Sequence, residues 1–132
     1  MTTTDSAPKV LIVEDQAPMR AALRDFLTLS FPAWQVLEAA DGVTAMKVFT
    51  EHRPPLVLMD VCLPDTNGIE LTRRIKAIAP ETVVVVMSIQ NSAHIVEQAL
   101  AAGAAVFISK DRIFTELAPL IAKWIQLSDK QQ

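Results

Sequence analysis

Apolar positions along this chain follow two rhythms: short unbroken runs, and longer stretches in which they return every three or four residues. The runs Lys9 to Val13, Leu56 to Asp60, Thr82 to Met87 and Ala105 to Ile108 are almost wholly apolar, with no polar alternation. That pattern predicts strands buried on both faces, as in parallel sheets. A weaker run, Trp34 to Ala39, fits an edge strand. Helical spacing places Met19, Ala22, Leu23, Phe26 and Leu27 on one helix, opened by Pro18 and running to Leu29. Val43, Ala45, Met46, Val48 and Phe49 make a second, started by Asp41-Gly42 and ended by Arg53-Pro54-Pro55. A third opens at Asn67-Gly68, carries Ile69, Leu71, Ile75 and Ile78, and closes at Pro80; a fourth, Ser92 to Ala102, stops at Gly103. The last stretch, Arg112 to Leu127, contains Pro119. A proline lacks the amide donor and clashes with the preceding turn, so the expected helix starts near Thr115 to Ala118 or kinks at Pro119. Strand and helix thus alternate five times, which predicts an α/β fold: a three-layer αβα sandwich around a five-stranded parallel sheet.

Composition narrows the function classes. The 132 residues, 51% of them hydrophobic, make one domain with a full core, expected over residues 8–127 between flexible ends at 1–7 and 128–132. A net charge of -3 without a Lys/Arg run argues against direct nucleic-acid binding. Cys62 is the single cysteine, so no internal disulfide forms and a reducing compartment is expected. The first eight residues do not resemble a signal peptide and no apolar run is long enough to span a membrane, which together predict a cytoplasmic protein with no membrane partner.

Parallel strands point their carboxyl ends to one edge, where open α/β sheets bind ligands. Four of the five strands end there in reactive groups: Glu14-Asp15, Asp60, Ser88 and Lys110. Three carboxylates on one rim repel one another unless a cation neutralises them, and hard oxygen donors select Mg2+ or a similar ion. An added ammonium and hydroxyl match the needs of phosphoryl transfer, with a carboxylate oxygen as acceptor. Plain structural readings stand beside these: Glu14-Asp15 or Asp60 as caps, Ser88 as a strand-end hydroxyl, Lys110 as a solvated charge. His52 and His94 lack acidic or cysteine partners at ligand spacing and read as surface residues. Cys62 reads as a small packing side chain, reactive only if exposed.

From about Lys9 to Leu127 the chain resembles a receiver domain of the two-component response regulators. The likeness rests on Glu14-Asp15, on Leu-Met-Asp-Val-Cys-Leu-Pro-Asp-Thr-Asn-Gly around Asp60, and on Ser88, Phe107 and Lys110. It implies the flavodoxin-like strand order 2-1-3-4-5. It also implies that Asp60 takes phosphate from a histidine kinase or phosphotransfer protein. Mg2+ would then be held by Asp15 and Asp60 directly, by Glu14 through water, and by the main-chain carbonyl of Cys62. Ser88 and Lys110 would bind the phosphoryl group, and Phe107 would be a switch aromatic whose rotamer follows Ser88. The implied output surface is the fourth helix, fifth strand and fifth helix, including His94, Glu97, Gln98, Ala101 and Phe107 with apolar side chains around Trp124, and it would serve a protein partner or a homodimer.

The chain departs from the family's usual pattern at several places. Ile89 follows Ser88 where receivers usually carry Ala or Gly, and a branched side chain there is expected to crowd the pocket, so that the phosphorylated state is long-lived or acetyl phosphate is a poor donor. Cys62, Ile89 and Gln90 are the expected modulators of dephosphorylation. Asp111 follows Lys110 where many receivers have Pro, which predicts a trans linkage or a changed loop. No output domain is expected within these residues, so the chain reads as a free-standing receiver or as part of a longer polypeptide. Its chemistry is expected to stop at self-phosphorylation and self-dephosphorylation, which is not that of an enzyme. Two rival readings are a receiver that binds a partner without phosphorylation and an Asp-nucleophile phosphatase. The phosphatase would need a second Asp where Cys62 stands.

Overall fold

In the computed structural model, which describes residues 7–130, five strands alternate with five helices. They are β1 (Lys9–Val13), α1 (Ala17–Ser30), β2 (Gln35–Ala39), α2 (Gly42–His52), β3 (Leu56–Asp60), α3 (Gly68–Ile78), β4 (Val83–Ser88), α4 (Ala93–Ala101), β5 (Val106–Ser109) and α5 (Ile113–Lys130). All neighbouring strands pair in parallel, in the order β2-β1-β3-β4-β5. The edge position expected for the weakest run belongs to β2, and all five residues of the central β3 are buried.

Strand alternation sends side chains to two separate cores. Leu11, Val13, Val57, Met59, Val84 and Val86 meet Phe49 of α2, Leu71 and Ile75 of α3 and Ala99 of α4. Val10, Ile12, Leu56, Leu58, Val85 and Met87 meet Leu23 and Leu27 of α1 and Ile113, Leu117 and Ile121 of α5. The result is the expected sandwich, with helices on both faces of the sheet.

Helix ends follow local chemistry. Pro18 sits in the first turn of α1. Asp41, Asn67 and Ser92 cap α2, α3 and α4 through their side chains. Gly103, at φ 109°, ends α4 in the left-handed region, where a glycine carries no Cβ penalty. Arg53, at φ 47°, fills the same role after α2 without being glycine.

The carboxyl-terminal helix rules out one of its two expected arrangements, the later start. It starts at Ile113, not between Thr115 and Ala118, and Pro119 lies inside it. The reason is burial: Ile113, Leu117 and Ile121 form one stripe that is no more than 2% exposed, and a later start would strand Ile113 outside the helix. The helix also reaches Lys130, beyond the expected end at Leu127. Residues 1–6, 131 and 132 of the expected flexible ends lie outside the described residues. Lys110–Arg112 form a single 3-10 turn between β5 and α5, and no peptide bond among the described residues is cis, as expected with Asp111 in place of proline.

Candidate functional site

Strand register alone brings the reactive groups together. Val13 lies beside Met59, Asp60 beside Met87, and Ser88 beside Ser109. One step beyond each pairing stand Glu14 next to Asp60, then Ser88, then Lys110. Asp15, Asp60, Cys62, Ser88, Ile89, Gln90 and Lys110, with Gln16, line one open pocket at this edge.

The charges interlock. Lys110 Nζ lies 2.6 Å from Glu14 Oε1 and 3.3 Å from Asp60 Oδ1. Glu14 is fully buried; its Oε2 accepts from Gln16 N at 3.0 Å, while Oε1 is answered only by the ammonium. Asp60 is 3% exposed and Ser88 2% exposed. Ser88 Oγ accepts from Gln90 N at 3.1 Å, so β4's terminal hydroxyl is tied to the loop that follows it. Burial, then repulsion from Glu14, pushes the Asp60 carboxyl up to about 6 against the opposing pull of Lys110. At neutral pH it is mostly ionised. Burial works against the Lys110 ammonium, but its hydrogen bond to Glu14 and the charge of Asp60 outweigh this and raise its pKa.

A divalent cation fits this donor set. Carboxylate oxygens of Glu14, Asp15 and Asp60 all lie within 4.8 Å of one another. Three carboxylates against one ammonium leave two negative charges when all are ionised, and two of the acids are out of water. Such crowding favours a hard, doubly charged ion with oxygen ligands. Phe107 is half-buried against the core on the α2–α4 side and borders a groove with Val96 and Glu116.

One expectation about a single residue changes. Cys62 is exposed, not packed, because it sits past the end of β3 where the chain leaves the sheet. Trp124 is partly buried against the core on the α1–α5 side. His52 and His94 are exposed, as expected.

Two side chains that tie loops to helices near the site went unread in the sequence. Arg20 donates from Nη1 to the carbonyl oxygen of Glu14 at 2.7 Å and from Nε to Glu38 at 3.3 Å, bracing the acidic turn after β1. Its only signal was a basic residue about a turn and a half after the acids, on the helix they precede. Asp65 accepts from two backbone amides of α2, with Gly42 the stronger influence, and its carboxyl is held below the usual carboxylate range. Nothing in the local sequence pairs Asp65 with a helix some twenty residues earlier.

Comparison with known proteins agrees with this geometry. The family model described as response regulator receiver domain matches residues 10–122. Chemotaxis protein CheY of Thermotoga maritima is 37% identical over 103 residues, covering 77% of this chain and 84% of that protein. Sporulation initiation phosphotransferase F of Bacillus subtilis is 29% identical over 119 residues, 90% of this chain and 94% of its own length. In fold, the chain matches the crystal structure of a signal receiver domain of a DNA-binding response regulator from Colwellia psychrerythraea 34H. The TM-score is 0.86 at 24% identity, over 90% of this chain and 98% of the other.

Proposed function

Because the chain belongs to the response regulator receiver domain family, we propose that Asp60 is its phosphoacceptor, loaded from a histidine kinase or phosphotransfer protein. The observation that carries this is the placement of a buried, mostly ionised Asp60 carboxylate 3.3 Å from Lys110 Nζ and beside two further acids. A carboxylate oxygen attacks phosphorus, the bond to the donor's imidazole nitrogen breaks, and an acyl phosphate forms. Asp15, Asp60 and the Cys62 carbonyl, with Glu14 through water, would hold Mg2+, which when bound would offset charge on the phosphoryl oxygens. Lys110 offsets the remaining charge, and Ser88 donates its hydroxyl proton to a phosphoryl oxygen. Chemistry stops at loading and unloading Asp60, so the chain acts as a switch and not as an enzyme.

Switching follows from the added dianion. Ser88 and Lys110 are drawn toward it, Phe107 turns into the space Ser88 leaves, and the α4–β5–α5 face changes shape for a protein partner or a second copy. Intact mass after acetyl phosphate with Mg2+ tests the core of the reading. Wild type gains one phosphoryl group, Asp60→Asn gains none, and an unmodified wild type under cognate-kinase treatment as well would refute it.

Ile89 stands 80% exposed at the mouth of the pocket, with Cys62 and Gln90 also on its rim. These three modulate dephosphorylation in this reading, Ile89 by obstructing the approach of water. Ile89→Ala is expected to shorten the aspartyl-phosphate half-life several-fold; equal half-lives and loading rates would remove Ile89 from the account.

A further inference from the structure

The loop between β3 and α3 is held at its base and at its tip. At the base, Gly68 N donates to Val61 O at 2.8 Å, and Cys62 pairs with Asn67 in an antiparallel bridge. A Cβ on Gly68 would stand 1.9 Å from the carbonyl oxygen of Asp60, so the returning chain lies directly on the strand end. At the tip, Asp65 Oδ1 accepts from Gly42 N at 2.8 Å and Oδ2 from Val43 N at 3.0 Å. Those are the first two amides of α2, donors that a helix cannot satisfy internally. The third, Thr44 N, is taken by the local cap Asp41 at 2.7 Å.

This contact joins the loop that follows β3 to the helix that follows β2. α2 packs on β1 and β2, and β1 delivers Glu14 and Asp15; the loop bolted to α2 carries Cys62. The junction is close, since a Cβ on Gly42 would lie 2.5 Å from Thr66 Cγ2 and 3.1 Å from Asp65 Oδ1. Asp41 reaches only Thr44 N, so the amides of Gly42 and Val43 are answered from the loop that carries Cys62.

We propose that Asp65 is a positioning residue for the cation site: by clamping the β3–α3 loop to α2, it holds the Cys62 carbonyl in register with the carboxylates of Glu14, Asp15 and Asp60. The inference rests on the Mg2+ reading above, and deepens it. The test is calorimetric titration of Mg2+ into the whole chain, as wild type and as the variants Asp65→Ala, Asp65→Asn, Asp41→Ala and Asp15→Asn. Asp65→Ala is expected to weaken Mg2+ binding about tenfold, the low end of what losing the support of a metal ligand costs. Asp65→Asn, which keeps one acceptor and the side-chain shape, falls between. Asp41→Ala strips a cap from the same helix without touching the loop; it lowers the melting temperature but leaves Mg2+ affinity within about twofold. In parallel, the carbonyl carbon resonance of Cys62 shifts on Mg2+ saturation in wild type and shifts less in Asp65→Ala at equal saturation. Unchanged affinity in both Asp65 variants, or equal weakening in Asp41→Ala, overturns the proposal while leaving the cation site intact. A wild type that takes up no Mg2+, with nothing for Asp15→Asn to lose, overturns the cation reading together with it.

Discussion

At the scale of the residue, Asp60 is the group whose chemistry and stability are most opposed. Its carboxyl is pushed from 3.8 to about 6, so between those values the folded state binds a proton that the unfolded state has already lost. The contribution of Asp60 to the stability of the metal-free protein therefore falls as pH rises through that window and stays lower above it. Asp60→Asn removes the penalty, and the variant should be more stable than wild type at pH 7 by on the order of 2 kcal/mol, a gap that closes near pH 4. Urea denaturation at the two pH values in EDTA checks this. Added Mg2+ should raise the stability of wild type and do much less for the variant. A gap that fails to narrow in acid would mean that Asp60 is not the strained charge. The carboxylate proposed to accept a phosphoryl group is thus one the fold holds at a cost, as expected where a site is built for charge that arrives later.

At the scale of the element, α5 shows local propensity giving way to packing. Pro119 leaves the carbonyl of Thr115 without its usual amide partner and costs about 3 kcal/mol in a helix interior relative to alanine. Full burial of an aliphatic side chain is worth about 2 kcal/mol. Ile113, Leu117 and Ile121 form one buried stripe, and only a helix that begins at Ile113 keeps all three on it. Pro119 itself is exposed. Pro119→Ala should accordingly raise stability by about 1 to 3 kcal/mol, read as a higher urea midpoint with an unchanged slope. The same competition acts at Arg53, where a non-glycine residue takes a left-handed conformation because α2 must end before Pro54, and its guanidinium lies 5.6 Å from the ring of Phe49.

At the scale of the whole molecule, the site and the proposed output face are joined through β4 and β5. Ser88 ends β4 beside Ser109 of β5, and Phe107 stands two residues before Ser109, bordering the groove with Val96 and Glu116. His94, Glu97, Gln98 and Ala101 are exposed on α4 beside it. Beryllofluoride with Mg2+ should therefore change the sedimentation coefficient or raise partner affinity, and Phe107→Ala should blunt the change without preventing Asp60 from being loaded. Identical sedimentation and partner binding with and without beryllofluoride would sever the pocket from the face. Apolar rhythm, helix-capping residues and strand-end chemistry were enough, read linearly, to set out five strands, five helices and the cluster of Glu14, Asp15, Asp60, Ser88 and Lys110, because each depends on neighbours a few residues away and on parallel strands sharing one edge. Only the folded chain decided the start of α5, the exposure of Cys62, the brace from Arg20 and the clamp from Asp65. Those depend on which distant atoms are brought within hydrogen-bonding or van der Waals reach, a property of the assembled layers that no local pattern of residues contains.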